Sequence, residues 1–114
     1  MMNFTQEQIN GIVAEAREAG YQAGMQFLQQ KLNGQDRPLC GFAWVDIYGV
    51  KGNTKLGKML KAADVRQSYE KTFRLWNPSA LMVQNIDTLE AGAEAAAKVF
   101  QKHGFRAYAG SRLD

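Results

Sequence analysis

Cysteine and histidine are almost missing from this chain, each occurring once, as Cys40 and His103. A single thiol excludes an internal disulfide and any multi-cysteine zinc or iron–sulfur centre. Cys40 stands beside Gly41 and Phe42 in an apolar run and reads as a small buried hydrophobe. His103 falls in the last turn of an expected helix, where a cation complements the helix dipole. No serine or cysteine sits in a nucleophile-elbow pattern that would give His103 a partner. Long apolar runs are missing too, since none approaches the about 20 residues that span a bilayer. The N-terminal segment holds Gln6, Glu7 and Gln8 where a signal peptide would have a cationic and then an apolar region. The expectation is a soluble cytoplasmic protein with no membrane partner, cofactor, metal or catalytic residue.

What is present suits one folded domain over residues 1–114. Hydrophobic residues make up 46% and charged residues 22%, ordinary for a globular chain. A chain of this length buries about two-thirds of its unfolded surface and needs no staple. Its formal charge of +3 argues weakly for an anionic partner.

Thr5 and Gln8 form a capping-box pattern, with Phe4 and Ile9 at the positions of a hydrophobic staple. A helix is therefore expected over 6–32, stopped by Asn33-Gly34. Ile9, Ile12, Val13, Ala16, Ala23, Phe27 and Leu28 make its apolar side, with Ala19, Gly20 and Gly24 allowing another backbone close. At 1.5 Å per residue this helix is about 40 Å long, more than one small sheet can cover. A homodimer through residues 1–34 follows as an expectation. The alternative is a helix broken at Gly20 or Gly24.

Residues 39–48 read as a central strand, with Phe42, Trp44, Asp46 and Tyr48 on a bulky face and Gly41, Ala43, Val45 and Ile47 on the other. Phe42 and Trp44 are expected to be largely buried, by the core or by a partner chain. Further strands are expected at 72–76 and 106–110. Thr54 or Asn53 caps a short helix over 55–63. Asp87 and Glu90 suggest the start of an Ala-rich helix over 88–103, ended by Gly104 with Phe100 and Phe105 in contact across it. The fold class is α+β: one small three-stranded sheet, with the long and the Ala-rich helices mainly on one face; a meander is the expected connection, and right-handed crossovers through the later helices are the parallel, α/β alternative.

Residues 49–74 carry seven cations against Asp64 and Glu70. The candidate anion- or partner-binding residues are Lys51, Lys55, Lys58, Lys61, Arg66 and Arg74. Gly52-x-x-x-x-Gly57-Lys58 matches most of a phosphate loop, but Met59 stands where Ser or Thr would hold magnesium. A non-catalytic anion contact at a helix start and a solvated lysine face are the competing readings. Tyr48, Tyr69, Phe73 and Trp76 interleave with these cations, which keeps a nucleic acid or nucleotide open as ligand. Asp46, an acid on an aromatic strand face, reads as a strand-edge residue, an ion-pair partner of one of these lysines, or a functional carboxylate.

Cys40-Gly41-Phe42-Ala43-Trp44-Val45, Gly52-Asn53-Thr54-Lys55-Leu56-Gly57, Leu75-Trp76-Asn77-Pro78-Ser79 and the C-terminal Tyr108-Ala109-Gly110-Ser111-Arg112-Leu113-Asp114 together resemble small proteins of no assigned activity encoded by tailed bacteriophages. The resemblance covers roughly residues 39–114 and implies a phage gene expressed in the cytoplasm of a bacterial host. It brings no catalytic residues. The expected function is non-enzymatic binding of a host or phage macromolecule, a host protein included. The alternative is a nucleic-acid- or nucleotide-binding module built on 51–74.

Overall fold

A computed structural model describes residues 3–114; the first two residues of the expected domain lie outside it. Its elements run α1 (Gln6–Leu32), β1 (Gly41–Tyr48), α2 (Lys55–Ala62), β2 (Arg66–Gln67), β3 (Phe73–Trp76), α3 (Ile86–Lys102) and β4 (Arg106–Leu113). The fold is α+β, with an antiparallel sheet in the order β2-β3-β1-β4. The sheet has four strands where three were expected. The added strand, Arg66–Gln67, pairs with Phe73 and Arg74 across a tight turn over 68–71. Two polar residues have no alternation to betray a strand. β4 also continues past 110 to Leu113, pairing with β1 along its whole length.

Helix α1 has the expected limits. Thr5 Oγ1 accepts from the Gln8 amide at 3.1 Å, and Gln8 Oε1 accepts from the Thr5 amide at 2.8 Å, closing the capping box. Asn33 and Gly34 take positive φ and end the helix. Phe4 stacks on Phe105 at 5.6 Å, and Phe105 meets Phe100 edge-on at 5.7 Å. Helix α3 starts two residues earlier than the Asp87/Glu90 pattern suggests, because Asn85 is its cap. The Asn85 side chain is fixed by donating to the Arg37 carbonyl, and its Oδ1 accepts from the amide and hydroxyl of Thr88.

Ile9, Ile12, Val13 and Ala16 of α1 join Ala96, Ala97, Val99 and Phe100 of α3 over Val45, Ile47, Phe73, Leu75 and Ala107 of the sheet. Leu60, Met59 and Val65 close one end of this core. The small face of β1 lies under α3, where Ala43 packs with Leu89 and Ala93.

Helix α1 is not broken at its glycines. Gly20 and Gly24 lie on its buried line with Ile9, Ile12, Val13, Ala16 and Leu28. A Cβ on Gly20 would stand 3.0–3.1 Å from backbone atoms of Pro78 and Gly92, so this crossing needs glycine. Helix α3 and the 78–81 turn thus cover the stripe at Gly20 and Gly24, while Ala23 and Phe27 stay partly exposed. Farther along, Glu15 of α1 accepts from Lys102 and from His103 Nε2 at the end of α3. His103, the C-cap of α3, is therefore an inter-helix partner.

Two predictions follow from this seam. Gly11 has open space around it on the same helix. Gly11→Ala should stabilise by roughly 0.5–1 kcal/mol, while Gly20→Ala should destabilise by about 1–2 kcal/mol despite its better helix propensity. Urea midpoints test this, and equal gains in both variants would show that the seam yields. The Lys102 contact, then His103, holds the Glu15 carboxyl below its ordinary pKa. A lowered carboxylate contributes stability above its unfolded-state pKa and loses it as pH falls through the folded-state value. Glu15→Gln should therefore flatten the acid limb of a stability–pH curve, and an unchanged limb would exclude this tie.

Candidate nucleic-acid interface on the open sheet face

Alternation along β1 sends Val45 and Ile47 into the core and Phe42, Trp44, Asp46 and Tyr48 to the side without helices. Register then fixes their neighbours. Phe42 lies opposite Arg112, Trp44 between Trp76 and Gly110, Asp46 between Arg74 and Tyr108, and Tyr48 opposite Arg106. Opposed residues in an antiparallel ladder share a face. Five aromatic rings and three arginines thus form one field, extended by Arg66 on the β2 edge.

Phe42 is 39%, Tyr48 38%, Trp76 47% and Tyr108 56% exposed, and Trp44 is half-buried. Of the two expected ways of burying Phe42 and Trp44, the chain's own core is therefore corrected: the core takes the other side of the strand. Cys40, just before β1, is likewise half-exposed rather than buried. Trp44 and Trp76 pair at 5.0 Å, Tyr48 and Tyr108 at 6.1 Å. Guanidinium groups lie over these rings: Arg74 over Trp44 (4.5 Å) and Trp76 (5.6 Å), Arg112 over Phe42 (5.3 Å), Arg106 over Tyr48 (5.9 Å). The Trp44 indole crosses the bare backbone of Gly110, where any Cβ would collide with it.

Asp46 organises the field. Its carboxylate accepts from Trp44 Nε1, Thr72 Oγ1 and Arg74 Nε, each at 2.9 Å. It lies on a central strand, and its partner is Arg74 rather than one of the lysines. These bonds replace lost hydration, which is how a nearly buried charge is tolerated on a sheet surface. Glu70 also approaches Arg74, at 3.6 Å, and Asp64 pairs with Arg66 at 3.1 Å. Arg106 and Arg112 have no carboxylate partner among the described residues.

The six candidate cations separate into three places. Arg66 and Arg74 belong to the open face. Lys58 and Lys61 line a shallow cleft of about 720 Å³ with Ser68, Tyr69 and Lys71, and Lys61 donates to the Gly52 carbonyl. Lys51 and Lys55 line a different groove, beside Tyr48 and Arg106. The phosphate-loop match dissolves, because α2 already begins at Lys55. The Gly57 amide is taken by Thr54 Oγ1 at 3.1 Å, and Leu56 packs on the core. Arg106, Tyr108 and Arg112 escaped the sequence reading, although alternation through 106–112 puts all three on one side.

Charge is segregated by layer. Helices α1 and α3 carry six acids and four cations, whereas the rest of the chain carries ten cations and five acids. Among the described residues no helix is long and apolar enough to cross a membrane, and no cluster of acids, histidine or cysteine could hold a metal. No protein-family model, curated protein or solved structure matches the chain.

The Asp46 bonds set a testable contrast. Asp46→Ala should destabilise by about 2–4 kcal/mol, the cost of orphaning a hydrogen-bonded, largely desolvated arginine. Asp64→Ala, which frees only an exposed Arg66, should stay within about 0.5 kcal/mol. Equal effects in thermal melts would reduce Asp46 to an ordinary surface charge.

Proposed function

We propose that this protein is a non-enzymatic binder of single-stranded nucleic acid, with the open sheet face as its platform. The observation that carries this reading is the ring field of exposed Phe42, Tyr48, Trp76 and Tyr108 around half-buried Trp44, edged by Arg106 and Arg112, which have no carboxylate partner among the described residues. Bases stack on exposed aromatics at about 1–3 kcal/mol each, and a four-stranded sheet seats about two or three of them. From Phe42 to Tyr48 the field runs about 20 Å at strand rise. The lysines of α2 extend the positive surface past the Tyr48 end. A duplex hides its base faces and gains nothing from these rings, so the chemistry favours a single strand.

The reading moves the interface from segment 51–74 to the sheet and leaves Lys58, Lys61 and Lys71 as a flank. Of the apolar residues behind the expected homodimer through α1, Ile9, Ile12, Val13, Ala16 and Leu28 are buried within the chain, while Ala23 and Phe27 stay partly exposed. The motif resemblance supports a phage gene acting in a bacterial cytoplasm, where single strands of phage or host origin are available.

Fluorescence anisotropy with labelled single-stranded DNA and RNA, and their duplexes, tests the proposal between about 50 and 200 mM salt. Single strands should bind best, and more weakly at the higher salt. Trp76→Ala and Tyr108→Ala should each weaken binding by about 1–3 kcal/mol with little loss of fold. Arg112→Ala should lower the salt slope by about one. Absence of strand binding at low salt, or indifference to both ring variants, overturns the reading and leaves an acidic host protein as the partner to seek.

A further inference from the structure

The open face ends at Tyr48 and Arg106, and both residues also line a groove of about 670 Å³ that turns over the end of the sheet. Its inner wall is apolar: Met59 is buried, and Leu56 packs against the core. Its rim carries Lys51, Lys55 and Arg106, and among the described residues no carboxylate lines it. Lys51 and Lys55 are exposed, and neither ammonium has a hydrogen-bond or ion-pair partner among the described residues. This contrasts with Lys61, which is held on the Gly52 carbonyl.

Apolar wall and unpaired cations together fit one chemical unit, an aromatic base carrying a phosphate. Ligand pockets of about 300–1,000 Å³ are the size that encloses such a molecule. A strand lying along β1 and leaving the face at Tyr48 arrives at this groove, because Tyr48 and Arg106 belong to both surfaces. We infer that the groove captures the terminal nucleotide of a bound strand, with the base against Leu56 and Met59 and the end phosphate between Lys51, Lys55 and Arg106. The inference rests on the sheet face as a single-strand platform. It adds to that function a preference for phosphorylated ends.

Three short oligonucleotides of one sequence test it: one with a 5′ phosphate, one with a 3′ phosphate and one with neither. One phosphorylated form should bind about tenfold tighter than the bare strand, the worth of one charge-assisted contact. Which end is favoured reports the strand's polarity on the sheet. Lys51→Ala with Lys55→Ala should abolish that preference, weakening the phosphorylated strand about tenfold more than the bare one. Trp76→Ala should weaken all three oligonucleotides alike. Equal affinity for the three, with binding still sensitive to Trp76→Ala, overturns the groove and leaves the platform standing. A preference that survives the double lysine variant also overturns it. Failure of every oligonucleotide to bind removes the platform and the groove with it.

Discussion

One constraint shapes the molecule: both long helices lie on the same side of the sheet, so half of β1 must live in water. On the covered side Val45 and Ile47 are completely buried, and Ala43 lets α3 approach. On the other side the same strand carries two large rings, a tyrosine and a carboxylate. A central strand facing water with bare aromatics invites association. Here Asp46 draws Arg74, Thr72 and the Trp44 indole into one hydrogen-bonded set, and the arginines lie across the rings. The surface is thereby kept polar at its edges and rigid at its centre without a third layer.

That rigidity divides the labour among the arginines. Arg74 is only 17% exposed, is bonded to Asp46, and sits over both tryptophans, so its charge is already spent. It acts as part of the floor. Arg106 and Arg112 flank the field on β4, stacked on Tyr48 and Phe42 but without an anion. A planar guanidinium can stay on a ring while offering its edge to a phosphate, which an ammonium cannot do. The lysines, compact and strongly hydrated, are kept off the sheet and placed around α2 and on the two long helices. The two kinds of cation therefore occupy the positions their hydration suits.

Much of the fold was legible in the sequence, because its signals were local. The Thr5/Gln8 box, the Asn33-Gly34 stop and the Thr54 cap each concern a few adjacent residues, and each was found where expected. The glycines of α1 were read as points of close backbone approach, and Gly20 meets Pro78 and Gly92. What escaped depended on long-range pairing. β2 is two polar residues that become a strand only because β3 is beside them. The Asn85 cap works because residues almost fifty positions away hold its side chain. The α1 stripe meets the 78–81 turn and α3 at Gly20 and Gly24, contacts that only the folded chain creates.

The candidate site was legible in its chemistry and not in its location. A dense run of cations between residues 49 and 74 drew attention to that segment, yet folding distributes those cations over a cleft, a groove and a sheet edge. Arg106, Tyr108 and Arg112 lie far away in sequence and carry no local excess of charge. They reach the rings of β1 only through the register of β4. Linear charge density says where a chain is solvated, whereas a surface that reads bases needs cations and rings at alternate positions of paired strands. In this protein cations and rings alternate in that way on β1, β3 and β4, while α1 and α3 carry six acids against four cations.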